Sequence, residues 1–284
     1  METATVAFWR SAEAFYQKAE ALGYPDIRNY YWYHTVELPG GLVTPGQYDF
    51  RGTLDAFPFP ADMRGLRVLD VGSATGFFAF EFVRRGAEVV SMELPSLEAL
   101  DRFPGQSVEQ SLDKIRKMLG HQAAGEAGDK PKYSAQQMYF YLLEGPFEFC
   151  RKQLGVSVKR CYTPVYDLTP AKAGGSFDLV FVGDVLLHTL NPLEALAAIA
   201  PLCRGTLVLS QTIPEAEEGQ AAMLYVGGDS LDSDEVSWWL PNKPCMMALL
   251  RKFGFRTVTD MGTHSGALRP SGHEYRRTIL RAEK

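Results

Sequence analysis

The residues best able to do chemistry stand in one short stretch, Asp70-Val71-Gly72-Ser73-Ala74-Thr75-Gly76, and at a single acid seventeen positions further on, Glu93. Gly72, Ser73, Ala74 and Gly76 carry almost no side chain, so the backbone of this turn is able to approach a ligand closely. Asp70, just ahead of the turn, is placed to organise the loop or to meet an amino group. Glu93 closes a second apolar segment, Val89-Val90-Ser91-Met92, and a carboxylate in that position accepts both hydroxyls of a ribose. Together they predict a nucleoside-cofactor site built from Asp70, Gly72, Ser73, Gly76, Glu93 and the adjoining Leu94. The spacing Gly72-x-Ala74-x-Gly76 departs from the G-x-G-x-x-G dinucleotide fingerprint, which counts against an NAD-dependent enzyme.

A second group follows a later apolar run. Phe177-Asp178-Leu179-Val180-Phe181-Val182 reads as a buried strand opening into a loop that bears Gly183, Asp184 and His188. Gly183 again permits close approach to a ligand. His188 is the first candidate for a general base, because its unperturbed pKa lies near neutrality. His34, in the aromatic run Tyr30-Tyr31-Trp32-Tyr33-His34, is the second. A base is needed only where the reacting group is protonated at working pH, and a hydrogen-bonded structural histidine is the competing reading. No spacing suits a metal: Cys150, Cys161, Cys203 and Cys245 include no Cys-x-x-Cys pair, so free buried thiols in a reducing cytoplasm are expected.

Elements must position these residues. Phe8, Ala12, Phe15, Ala19 and Leu22 recur at helical spacing, which predicts an N-terminal helix stopped by Gly23 and Pro25. From about Gly65 strands and helices alternate. Strands are predicted at 67–71, 88–92, 158–163, 179–182, 206–210, 256–261 and 277–281, with helices at 77–83, 192–203 and 243–253. Asn191-Pro192 supplies a cap and a first-turn proline, and Gly254 a helix stop. This order predicts an α/β fold: a Rossmann-like, seven-stranded, mostly parallel sheet covered on both faces. Its last two strands are close enough in sequence to form an antiparallel hairpin.

Residues 1–64 read as an N-terminal helix and aromatic arm, and 65–284 as the main domain, with insertions at about 95–145 and 211–242. Excursions of that length after strand carboxyl ends commonly act as lids or substrate walls. The stretch 125–130 in the first is expected to be mobile. Trp238-Trp239-Leu240-Pro241-Asn242 in the second reads as a wall or anchor, or as plain packing.

At 284 residues, 46% hydrophobic and 22% charged, the chain buries enough for one α/β domain with insertions. A net charge of -5 gives no general attraction to nucleic acid. Lys114, Arg116, Lys117, Arg151, Lys152, Lys159 and Arg160 read as solvated helix faces. No apolar run approaches the ~20 residues of a membrane span, and the amphipathic N-terminus shows no signal peptide. A cytoplasmic protein is expected; its oligomeric state leaves no mark in the sequence.

Asp70-x-Gly72-x-Ala74-x-Gly76 resembles the acidic-x-Gly-x-Gly-x-Gly turn of class I S-adenosylmethionine-dependent methyltransferases, with Ala74 in place of the middle glycine. The likeness runs from about Gly65 to Pro214. Within that class the chain resembles the tRNA wobble-uridine carboxymethyltransferase family, which makes 5-carboxymethoxyuridine from carboxy-S-adenosylmethionine. Glu37-Leu38, Thr44 and the Tyr48/Arg51 region resemble its pre-core segment, Leu224-Tyr225-Val226 its segment after the fifth strand, and Arg276-Arg277-Thr278-Ile279-Leu280 its final strand.

The resemblance implies S-adenosylmethionine as cofactor, with Val165 and Tyr166 closing over adenine. The usual acidic position before them is Pro164, so Asp167 is the substitute partner for the amino group. Tyr48 and Arg51 are implied to touch the cofactor from the arm. Arg277 is implied to reach an anionic group at the reaction centre and, with Tyr225, to orient the substrate. Two departures bear on the cofactor. That family carries a Tyr-His pair where this chain has Leu187-His188, and a lysine near Tyr33. A tyrosine hydroxyl and an ammonium are what a cofactor carboxylate wants, so unmodified S-adenosylmethionine is expected over carboxy-S-adenosylmethionine. The resulting expectation is in-line methyl transfer to a small-molecule acceptor. Tyr30, Trp32, Tyr33, Tyr139, Phe140 and Trp238 would suit an aromatic acceptor or the sulfonium, or are simply core. A tRNA wobble-uridine-modifying enzyme and a cofactor-binding protein without catalysis are the alternatives.

Overall fold

A computed structural model describes residues 4–122, 133–214, 219–231, 233 and 236–284. The stretch 125–130 lies outside the described residues. In chain order the elements are α1 (Ala4–Ala21), a small hairpin of β1 (Glu37–Leu38) and β2 (Leu42–Val43), β3 (Arg67–Val71), α2 (Phe77–Arg84) and β4 (Glu88–Glu93). The first insertion then supplies α3 (Val108–Gln122) and α4 (Ala135–Tyr139), which passes through a wide π turn at Phe140–Glu144 into α5 (Gly145–Leu154). There follow β5 (Lys159–Tyr162), α6 (Pro170–Ala173), β6 (Phe177–Gly183), α7 (Pro192–Ile199) and β7 (Cys203–Gln211). The second insertion carries β8 (Met223–Tyr225) and β9 (Trp239–Pro241), and α8 (Lys243–Lys252), β10 (Thr257–Ala267) and β11 (Glu274–Glu283) complete the described elements.

Seven strands form one sheet in the order β10-β11-β7-β6-β3-β4-β5. Five of them, β7 to β5, run parallel, while β11 is antiparallel to both its neighbours. From β3 the chain winds outward through β4 to β5, then returns to the other side of β3 as β6. Such a reversal splays the connections apart at the strand carboxyl ends and opens a crevice there. Register fixes what meets at its mouth: Val71 pairs with both Met92 and Val182, and Gly183 with Ser210. The turn at Gly72 and the loop at Gly183 therefore emerge side by side.

Both faces of the sheet are covered, as the near-continuous apolar strands require. Leu69, Val71, Val180 and Val182 pack on one side with Leu196, Ile199, Met246 and Leu250 of α7 and α8. Val68, Leu179, Phe181 and Val208 face the other, against Phe78 and Phe82 of α2. The arm joins that second core, since Phe15, Ile27, Trp32 and Val36 belong to the same cluster. A third cluster holds Tyr31 of the arm against Leu97, Leu112, Ile115, Met138 and Leu142 of the first insertion.

The predicted strands all form, six of them within three residues of their expected ends, while β10 runs six residues past the expected 261. The helix expected at 192–203 stops at Ile199 and tightens into a 3-10 turn through Leu202, because Cys203 already pairs with Phe177 in the sheet. Lys159 and Arg160 lie on a strand and not on a solvated helix face. The Arg160 side chain is only 7% exposed. All four cysteines are free.

Candidate active site

The glycine turn is shaped by backbone requirements as much as by ligand access. Gly72, Ala74 and Gly76 all have left-handed backbone, with φ of 68°, 47° and 91°. For Ala74 this conformation is uncommon and costs about 1–2 kcal/mol. Gly72 and Ser73 donate their N–H groups to the carbonyl of Met92, binding the turn to the end of β4. A Cβ on Gly72 would sit 2.5 Å from a methyl of Val185. One on Gly76 would sit 2.6 Å from Phe80 and 2.7 Å from Phe147. Gly72, Ser73 and Ala74 line the crevice. Gly76, expected at the cofactor, does not; it is glycine because two phenylalanines stand behind it.

The crevice is a cavity of about 1110 Å³, above the ~300–1,000 Å³ typical of one small-molecule site. Glu93 lies on its wall, 7% exposed. Its two oxygens accept the N–H groups of Ala74 and Leu94, each at 2.9 Å. Each oxygen retains a second lone pair for a further donor. Burial pushes the Glu93 carboxyl up, with the Arg160 guanidinium opposing. Asp70 is 2% exposed. Burial, with the Glu93 charge adding to it, pushes its carboxyl up to about 7, while the N–H of Ala79 in the first turn of α2 opposes this. Its Oδ2 is buried with no hydrogen-bond partner. An orphaned carboxylate oxygen on a cavity wall is costly unless a donor arrives. A nucleoside cofactor bearing an ammonium fits this pair: hydroxyls for Glu93, the cation for Asp70.

Arg160 holds the turn from below. Its guanidinium donates to Ser73 Oγ and Ser91 Oγ, both at 2.8 Å, and to Glu144 at 3.3 Å. It stacks on Phe147, 3.9 Å from the ring centre. The Ser73 hydroxyl is engaged in this network, hydrogen-bonded to Ser91 as well. Its short, polar neighbours on β3 and β4 were no signal for a buried arginine, so Arg160 was missed.

At one end, Pro164, Val165 and Tyr166, expected beside adenine, line the cavity with Leu94. The Tyr166 hydroxyl donates to the Asp101 carboxylate, which also accepts the N–H of Leu190 at 2.5 Å. Asp101 lies on the cavity wall. Asp167 does not; it is exposed, with Lys172 at 3.8 Å. A 3-10 turn over Val165–Asp167 directs the two side chains apart, so the acid inside the cavity comes from the first insertion.

At the other end, Gly183, Asp184, His188 and Arg277 share the cavity wall with Tyr33, Tyr48 and Ser210. Arg277 Nε donates to Asp184 at 2.5 Å, and the two side chains are 14% and 18% exposed. Asp184 has left-handed backbone, φ 50°. His188 is exposed at the rim, its Nδ1 2.7 Å from the carbonyl of Val236. A carbonyl only accepts, so Nδ1 carries the proton and Nε2 the lone pair of the neutral ring. His34 lines the cavity, but burial pulls its pKa down to about 3. That makes it a neutral wall residue rather than a base at neutral pH. His264, on β10, was missed: its pKa is lowered to about 4 by burial and then by Arg277, and its Nε2 lies 3.1 Å from Ser210 Oγ. Nothing in the exposed, alternating run around it marked a site.

Three further expectations are corrected. Arg51 is exposed and paired with Asp49 at 2.8 and 2.7 Å, outside the cavity; Arg269, which also reaches Asp49, is the arginine on the wall nearby. Tyr225 is 41% exposed and stacks edge-on against Trp239, away from the cavity. Of the aromatic set, Tyr33 and Trp238 line the cavity. Trp32 is core, and Tyr139 is tied by its hydroxyl to the carbonyl of Leu94 at 2.6 Å. The tryptophans also anchor the second insertion. Trp238 N–H donates to Leu187 O at 2.7 Å, and Trp239 Nε1 to Leu190 O at 3.1 Å. Among the described residues no group of three or more His, Cys, Asp or Glu side chains could hold a metal.

A mostly parallel α/β sheet with a large crevice at its switch point defines a Rossmann-like protein. Residues 47–260 match the family model described as "Methyltransferase domain", and the chain belongs to that family. It is similar to the tRNA U34 carboxymethyltransferase of Pseudomonas fluorescens strain SBW25, 28% identical over 199 residues covering 69% of this chain and 48% of that protein. The enzyme of the same name from Pseudomonas putida strain GB-1 is 26% identical over an equal span. The likeness thus spans about half the length of these curated relatives. Among solved structures, the N-terminal domain of EvdMO1 with SAH bound overlays with a TM-score of 0.56 at 14% identity, covering 93% of this chain and 96% of that one. No described helix is long and apolar enough to cross a membrane.

Proposed function

We propose that the protein transfers a methyl group from S-adenosylmethionine to a small-molecule acceptor. The observation that carries this reading is the pairing of Glu93, doubly anchored with lone pairs to spare, with the unpartnered Oδ2 of buried Asp70 in one cavity. The SAH found in the EvdMO1 domain supports the same cofactor. When bound, that cofactor supplies a methyl group activated by a sulfonium. Glu93 holds the ribose hydroxyls, Asp70 the ammonium, and Val165 and Tyr166 flank the base. Gly72, Ser73, Ala74 and Gly183 supply close backbone walls, and Leu94 a further one. Tyr48 closes this end from the arm.

The rate then rests mainly on holding the reactants in line and excluding water. Trp238, Tyr33 and the first insertion close the cavity for that purpose. His188 Nε2 is the general base for an acceptor that must lose a proton. Unmodified S-adenosylmethionine is favoured over its carboxy form by Asp184: its carboxylate already neutralises Arg277, the cation a carboxylated cofactor would use. A second carboxylate facing the same arginine would be repelled by Asp184. Four free cysteines suit a reducing cytoplasm.

The second reading, modification of tRNA, rests on the 28% identical relative. The net charge of -5 opposes it. Incubating the protein with methyl-tritiated cofactor and either a low-molecular-mass cell extract or total tRNA separates the two. The main reading expects label in the small-molecule fraction; label confined to tRNA would replace it with the second.

A further inference from the structure

The wall of the cavity between the arm and the β10–β11 hairpin is an aromatic chamber. Phe50, Phe57, Phe78 and Phe181 line it, with two histidines, His34 and His264. Phe57 lies 4.8 Å from the His264 ring and 5.2 Å from Phe78, which lies 4.4 Å from Phe181. Phe50 touches both histidines, with ring centres 5.7 Å from His34 and 5.8 Å from His264. The histidines are 5% and 4% exposed, and the Nδ1 atom of each is buried without a hydrogen-bond partner. The other nitrogen of His264 is met by Ser210 Oγ, so the ring is held with one polar atom unsatisfied. Two orphaned nitrogens in one apolar chamber are expensive unless a ligand engages them.

Among the described residues, the two arginines on this part of the cavity wall are both ion-paired, Arg277 with Asp184 and Arg269 with Asp49. Burial also keeps both histidines neutral, their pKa values lowered to about 3 and about 4. An anionic guest would therefore lose its hydration without a partner.

We infer that this chamber is the acceptor subsite, and that it takes an uncharged, flat aromatic molecule carrying a polar group that hydrogen-bonds His264 Nδ1. The ring of the guest lies against the cavity-facing side of Phe50, Phe57 and Phe78; Ser210 holds the imidazole in place. This rests on the methyltransferase reading and adds the chemical class of its acceptor.

The test is titration of the full chain, saturated with S-adenosylhomocysteine, with three probes: 2-naphthol, naphthalene and 2-naphthoate. The subsite predicts that 2-naphthol binds at least about tenfold more tightly than either of the others. It also predicts that His264→Phe, which keeps a planar ring, abolishes the preference for 2-naphthol over naphthalene while leaving S-adenosylhomocysteine affinity unchanged. Equal or tighter binding of 2-naphthoate, no difference between 2-naphthol and naphthalene, or no binding of any probe overturns it, whether or not the variant folds. Failure to bind S-adenosylhomocysteine in the first step would instead defeat the methyltransferase reading, and the probes are then titrated on the unliganded chain with the same criteria.

Discussion

Two carboxylates with different surroundings carry the proposed cofactor site, and each has its own signature. Glu93 is expected to bind hydroxyls through lone pairs left after its two backbone contacts. Glu93→Ala should therefore weaken S-adenosylhomocysteine by about 1–3 kcal/mol, roughly 5- to 150-fold, by calorimetry. Asp70 must be ionised to receive an ammonium, and burial pushes it up to about 7. Affinity for S-adenosylhomocysteine should then rise about tenfold between pH 6 and pH 8, because the competent fraction limits binding. Linkage gives the matching stability effect. A carboxyl raised above its unfolded pKa of ~3.9 stabilises the fold fully below that value and loses this contribution as pH rises through about 7. A pH-independent affinity in this range would assign the ammonium elsewhere. At this scale Asp70, Gly72, Glu93 and Gly183 were legible as residues of the crevice wall, because residue type limits their chemistry. Asp167 and Arg51 were not, because a one-residue turn decides which way a surface side chain points. His264 and Arg160 were hidden for the opposite reason: they come from strands far along the chain, and only register places His264 at the crevice and Arg160 behind the glycine turn.

The elements were the most legible part, since seven apolar runs and their helices must alternate to build a parallel sheet. What periodicity left open was how each loop is pinned. Gly72 is pinned twice, by φ of 68° and by Val185 at 2.5 Å, whereas Gly40 has φ of 74° and open space around it. Gly40→Ala should cost only the left-handed strain of about 1–2 kcal/mol. Gly72→Ala adds an overpacking cost of about 1–3 kcal/mol, so its melting temperature should fall further in a thermal scan. Equal losses in the two variants would mean that the Val185 contact does not constrain the turn. The insertions show the same limit of the sequence. Trp238 and Trp239 read equally as packing or wall; each is hydrogen-bonded to the loop after β6, and of the two Trp238 also lines the cavity.

At the scale of the whole molecule, the arm, the sheet and both insertions converge on one cavity of about 1110 Å³ at the strand carboxyl ends. Residues 1–64 were expected as a helix and aromatic arm ahead of the main domain; Trp32 of that arm and Phe181 share a core, and the His34 N–H donates to Thr75 Oγ1 of the glycine turn at 3.1 Å. Closing the site and folding the arm are thus parts of one packing event. The account as a whole stands on the identity of the cofactor. Calorimetric titration of the full chain with S-adenosylhomocysteine and, separately, with NAD tests it most directly. One site of about 10 µM or tighter for S-adenosylhomocysteine, roughly -7 kcal/mol, with no measurable heat from NAD, is the result the account predicts; tight NAD binding with none for S-adenosylhomocysteine would contradict it.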